Sequence, residues 1–403
     1  MRTRTIWATS AVLVVVASGT IVGLELVRKH HQSPPTSVTQ HSTLSPEVPR
    51  TITTATGASP RLPGCPDSAQ LTQLPLRDKL AQLLMVGVTN EADLRDVVSN
   101  SHVGGVFIAS WTDLSMLSSG VLSELAESSR PLPLAVSVDE EGGRVDRLAP
   151  LIGPAPSARV LARTESAEQV YQLALDRGRA MRGLGITVDF APVLDMTSAP
   201  DDTVIGDRSF SSEAGLVTAY AGAYARGLRD AGILPVLKHF PGHGNASGDS
   251  HLTGVVTPPL DQLEENDLMP YRSLVSQAPV GVMVGHMQVP GLTGTDPASL
   301  SRAAMALLRN GIGYGGPPFD GPIYTDDLST MKAITDRYGV AEAVLRALQA
   351  GADVALWVST SEVPAVLDRL EKAVNGGELN LTDVDASLSR VAKAKEQVAG
   401  CPQ

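Results

Sequence analysis

The residue types best suited to chemistry gather in one stretch, Lys238-His239-Phe240-Pro241-Gly242-His243-Gly244, followed by Asp249-Ser250-His251. Lysine brings a fixed cation, and histidine is the side chain that gains and loses a proton near neutral pH. A carboxylate two residues from His251 could hydrogen-bond its ring, orient it and favour its protonated form. Asp249 and His251 are therefore a candidate pair for donating and retrieving a proton. Three histidines also raise the question of a metal. Pro241 and Gly242 prevent His239 and His243 from sharing a helical face, and no cysteine lies nearby, so neither a metal nor a cofactor is expected. A solvated glycine-rich loop would account for residues 244–248, but not for Lys238 and His239 at the end of an apolar run, Ile233 to Leu237.

Other polar clusters follow other apolar runs. Asp139-Glu140-Glu141-Gly142-Gly143-Arg144-Val145-Asp146-Arg147 combines carboxylates, a tight glycine turn and arginines. A carboxylate such as Asp139 can accept from two adjacent hydroxyls; equally, Asp139 and Arg147 could be a helix-end acid and its salt-bridged partner. Asp195 reads as a structural cap rather than a ligand contact. Arg208, in Val204-Ile205-Gly206-Asp207-Arg208-Ser209-Phe210, has a planar fork suited to paired oxygens, although an arginine in a loop is more often a surface residue. Lys238 could be only a counter-charge to the acids. In Tyr324-Thr325-Asp326-Asp327-Leu328-Ser329-Thr330-Met331, either acid could do chemistry, with Asp327 the better candidate for a helix cap.

Four of these elements, in this order, resemble hallmarks of glycoside hydrolase family 3, in its single-domain β-N-acetylglucosaminidase branch. They are Asp-x-Glu-Gly-Gly-Arg-Val-x-Arg, Gly-x-Arg-Ser-Phe, Lys-His-Phe-Pro-Gly-His-Gly with Asp-Ser-His, and Thr-Asp-x-Leu followed closely by Met; the likeness runs over residues 66 to 400. The spacing from Leu328 to Met331 is one residue longer than the family's usual pattern. The resemblance implies a retaining, exo-acting β-N-acetylglucosaminidase with Asp326 as nucleophile and His251 with Asp249 as acid/base. It also implies sugar contacts from Asp139, Arg147, Arg208, Lys238 and His239, and pocket lining by His286. Implied substrates are peptidoglycan-derived glycans. A family 3 β-glucosidase, a phosphorolytic enzyme and a wall-binding barrel without turnover are the alternatives.

Such residues need a scaffold that brings them together. From Cys65 onward, short apolar runs alternate with helical patterns, the mark of βα units. Eight runs read as strands: 83–86, 103–108, 132–138, 187–194, 233–237, 280–284, 322–325 and 353–358. That number predicts an α/β fold, a single (β/α)8 TIM-type barrel with its polar clusters at the C-terminal strand ends. A doubly wound open sheet would want a glycine-rich phosphate turn after the first strand, and Gly87-Val88-Thr89-Asn90 is no such turn.

The remaining features concern placement. A net charge of −11 argues against a nucleic-acid partner, which would want a basic face. Arg2 and Arg4 precede an apolar run from Ile6 to Val27, which predicts a signal anchor or signal peptide over 1–31 and contact with the cytoplasmic membrane. Residues 32–64 are rich in Ser, Thr and Pro and read as a disordered linker. The catalytic barrel is then expected over 65–403, outside the cytoplasm in a bacterial cell envelope, and a monomer is the expected state. Cys65 and Cys401 bracket it and are a candidate disulfide of an exported protein.

Overall fold

The computed structural model describes residues 71–128, 132–249 and 254–400. The N-terminal apolar segment, the linker, both cysteines and His251 lie outside the described residues. Among those described, no helix is long and apolar enough to cross a membrane.

All eight expected strands form one parallel sheet: β1 Leu84–Val88, β2 Gly105–Ile108, β3 Ala135–Val138, β4 Val188–Asp189, β5 Leu234–Phe240, β6 Gly281–Val284, β7 Ile323–Thr325 and β8 Ala355–Trp357. Neighbours run in the order β7-β6-β5-β4-β3-β2-β1-β8. A single bridge, Tyr324 to Val354, brings β7 back to β8 and closes the barrel. Strands buried on both faces read as continuous apolar runs, which is why they were legible. β1 extends two residues past the expected Val86; Gly87 permits this, because a Cβ there would sit 2.8 Å from the Val358 backbone. The run 187–194 gives a ladder of only two residues. Its backbone nevertheless stays engaged, with Val236 N donating to Ala191 O and Leu194 N to Lys238 O.

The outer layer is helical. Ala167–Gly183 begins with a capping box, in which the Ser166 hydroxyl accepts from Gln169 N and the Gln169 side chain accepts from Ser166 N. Ala214–Asp230 packs against it, and Gly227 lets the two backbones meet, since a Cβ would lie 2.4 Å from Tyr171 O. Inside the barrel, Phe107 lies 5.7 Å from Phe190, and Phe190 lies 5.6 Å edge-on from Tyr324. Phe190 is fully buried, so its truncation to alanine costs about 3–5 kcal/mol. This aromatic plug supports the floor on which the polar residues stand.

Candidate active site

Polar side chains from five strand ends converge on a cavity of about 550 Å³ at the C-terminal face of the barrel. The chain leaving β3 makes a short hairpin, Glu140–Gly142 pairing antiparallel with Val145–Asp146. Extended backbone sends alternate side chains to opposite sides. Asp139 and Glu141 thus line the cavity, whereas Glu140 turns into the protein and pairs with Arg177. Gly142 turns this hairpin at φ +84, and any Cβ there would meet Pro156 O at 2.4 Å.

Lys238, from β5, is nearly inaccessible and is gripped by two carboxylates. Its Nζ donates to Asp139 Oδ1 at 2.6 Å and lies 2.6 Å from Glu141 Oε1. Glu141 in turn receives the Arg208 fork, Nε at 2.7 Å and Nη2 at 2.8 Å. Burial opposes ionisation of Glu141, but Arg208 and Lys238 outweigh it and hold its pKa well below the ordinary value. Burial likewise opposes the Lys238 cation, and Asp139 and Glu141 raise its pKa regardless. Two cations and two anions therefore form one compact, charge-balanced network.

The next residue is fixed from behind. His239 Nδ1 lies 2.5 Å from Asp195 Oδ2, and the backbone N–H of His243 donates to Asp195 Oδ1 at 2.7 Å. Asp195 is buried and does not reach the cavity; its pKa is held down by His239 and His243 against the opposing effect of burial. It is a brace for the loop. Gly244 lets that loop pass over Met196, whose carbonyl oxygen would be 2.0 Å from a Cβ. His243 lines the cavity, and burial lowers the pKa of its ring.

Across the cavity, Asp326 follows β7. Burial works against its ionised form, but His286, His239, the Asp327 N–H and Lys238 prevail and keep its pKa below the ordinary carboxylate value. Asp327 does something else. Its carboxylate accepts from Ser329 N at 2.8 Å and Thr330 N at 3.1 Å, pinning the turn that follows. His286 corrects the expectation of pocket lining. It lies beneath the surface, bonded through Nδ1 to Ser299 Oγ at 2.6 Å and through Nε2 to the Asp327 carbonyl at 2.8 Å. It thereby braces the backbone next to Asp326 and favours the ionised form of that carboxylate.

Of the expected site residues, Asp139, Arg147, Arg208, Lys238, His239, Asp249 and Asp326 all line the one cavity. No hydrogen bond or ion pair to another described residue holds Arg147, which leaves its fork to the cavity. Arg208 differs from the expectation in one respect, since Glu141 already occupies much of its fork. Sequence reasoning missed Glu141. Period-two alternation from Asp139 would have found it.

The glycosyl hydrolase family 3 N-terminal domain matches residues 75–394. The chain belongs to glycosyl hydrolase family 3. It is 64% identical over 363 residues to beta-hexosaminidase LpqI of Mycobacterium tuberculosis, covering 88% of this chain and 93% of that one. The solved structure of M. tuberculosis LpqI superposes with a TM-score of 0.81 at 67% identity, over 82% of this chain and 97% of that one. A family 3 β-N-acetylglucosaminidase from Paenibacillus gives a TM-score of 0.75 at 34% identity, over 81% of this chain and 63% of that one. In this family 3 hydrolase the eight-stranded barrel is thus shared with glycosidases, and its polar cavity occupies the C-terminal face where barrel enzymes place their chemistry.

Proposed function

We propose that this family 3 hydrolase is a retaining, exo-acting β-N-acetylglucosaminidase. The observation that carries the reading is the pairing, within one cavity, of an Asp326 carboxylate held ionised with the opposing Asp139–Lys238–Glu141–Arg208 network. Asp139, Lys238, His239 and Arg147 bind the terminal sugar, with Arg208 contributing the part of its fork that Glu141 leaves open. An Asp326 oxygen attacks C1, the bond from C1 to the glycosidic oxygen breaks, and that oxygen takes a proton from His251. Water then attacks C1 of the glycosyl ester, gives a proton to His251 and releases the Asp326 carboxylate. Asp249 orients the His251 ring. The hexosaminidase activity named for the 64%-identical relative supports N-acetylglucosamine as the glycone.

The natural substrates in this reading are peptidoglycan-derived glycans ending in N-acetylglucosamine. The apolar segment from Ile6 to Val27 and the Ser/Thr/Pro-rich stretch after it support an extracytoplasmic enzyme, tethered or secreted, acting in the cell envelope. The test compares 4-nitrophenyl β-N-acetylglucosaminide with 4-nitrophenyl β-glucoside. The expected kcat/KM ratio favours the N-acetylated sugar by ~100-fold or more. Equal rates, or a preference for the glucoside, would overturn the assignment.

A further inference from the structure

The cavity has two unlike walls. Strands β3, β4 and β5 supply Asp139, Glu141, Arg147, Arg208, Lys238 and His239. The arc of β2 and β8, together with the turn after β7, supplies Phe107, Trp111, Met331, Leu356 and Val358 beside Asp326, Asp327 and Thr330. At the rim of this second wall stands Trp111, 54% exposed although it belongs to the same cavity.

Its exposure is not that of a loose loop. The Thr112 hydroxyl donates to Val88 O at 2.6 Å and accepts from Ala109 N at 3.0 Å. Thr112 N returns to Ala109 O at 3.2 Å, and Asp113 N donates to Thr89 O at 2.8 Å. Thr112 and Asp113, just after the tip, thereby tie the turn to the end of β1, and the bonds between Ala109 and Thr112 close it on itself. A buried threonine fastens the residue next to an outward-facing indole. No other aromatic ring stacks on Trp111 among the described residues.

We infer that Trp111 is the platform of a second sugar subsite, stacking on the ring of the sugar that leaves. This rests on the reading of the cavity as an exo-acting glycosidase site. In that reading the terminal sugar sits deep, against the polar wall, and the glycosidic oxygen points to the mouth. The leaving pyranose then lies at the rim. One face of a pyranose carries several C–H groups and little else, a surface that matches an indole rather than a charged fork. A rigid aromatic gives that contact without the ordering cost of a flexible side chain. Trp111 therefore selects for a sugar, over a small alkyl group, on the leaving side.

The experiment measures kcat/KM of wild type, Trp111→Ala and Trp111→Phe on two substrates. Chitobiose has a pyranose leaving group; methyl β-N-acetylglucosaminide has none. Taking the variant-to-wild-type ratio for each substrate cancels the difference in leaving-group ability. For Trp111→Ala, the loss on chitobiose should exceed that on the methyl glycoside by about tenfold. Trp111→Phe, with a smaller ring, should fall between. An equal loss on both substrates would overturn the subsite, as would a larger loss on the methyl glycoside. Wild type inactive on both substrates would instead refute the glycosidase reading, so the two failures are distinguishable.

Discussion

Replacing Glu141 by glutamine keeps the shape of the side chain and removes one charge from the cavity. In the wild type the Glu141 carboxylate meets Lys238 Nζ at 2.6 Å and the Arg208 fork at 2.7 and 2.8 Å. Without it, Asp139 alone offsets two buried cations. Breaking a buried ion pair from one side costs about 3–5 kcal/mol. A domain spanning residues 75–394 unfolds with an entropy of roughly 0.7 kcal/mol/K, so Tm should fall by about 4–7 °C. Activity should suffer separately. Lys238 would lose one of its two anchors, and a displacement of about 1 Å in a binding group lowers kcat/KM by about 100-fold. Calorimetry and chromogenic turnover read the two effects independently. The pH dependence has a definite sign. The Glu141 pKa is lower in the folded protein than the ordinary 4.5, so its stabilisation is fully present above that value and is lost as pH falls through the folded pKa. The gap in Tm between wild type and Glu141→Gln should therefore be widest near neutrality and narrow below about pH 4.5. An unchanged Tm with kcat/KM within twofold of wild type would refute the role assigned to this network.

Three further outcomes are expected. Asp326→Ala should abolish turnover, and a mechanism-based fluorosugar should leave a covalent label on Asp326 when digests of the wild type are sequenced by mass; a label elsewhere would remove it as nucleophile. His251→Ala should slow poor leaving groups strongly and activated aryl leaving groups much less, because the latter need little protonation; equal losses would exclude His251 as the proton donor. Cys65 and Cys401 should be joined in the exported protein, contributing about 4–5 kcal/mol in the chain-entropy model. Intact mass without reductant checks this, and two alkylatable thiols would disprove it.

The strands were legible because each is an apolar run buried from both sides, and the cavity was legible because polar clusters interrupt those runs at one end only. Less legible was the division of labour within each cluster. Among Asp139, Glu140 and Glu141, alternation decides which acids face the cavity. Glu140, facing inward, has its pKa pushed up to about 7 by burial and by the neighbouring Asp146, despite Arg177. Identical residue types thus receive opposite environments one position apart. His286 was misplaced for a related reason. A histidine at a strand end can point up into the site or back beneath it, and only its bonds to Ser299 and the Asp327 carbonyl decide. Asp195 reaches across from the chain after β4 to His239 at the end of β5, a contact between residues 44 apart that no local pattern announces.

The balance of charge in the cavity bears on how ligands arrive. Asp139 and Glu141 cancel Lys238 and Arg208 at close range. The chain as a whole carries −11. An uncharged oligosaccharide therefore meets the cavity at a rate that ionic strength hardly changes. A fragment bearing free carboxylates approaches against the long-range repulsion of the entire protein, and salt relieves that repulsion once the screening length falls to about 10 Å, near 0.1 M. Raising ionic strength is therefore expected to speed the association of an acidic fragment and to leave that of a neutral one unchanged.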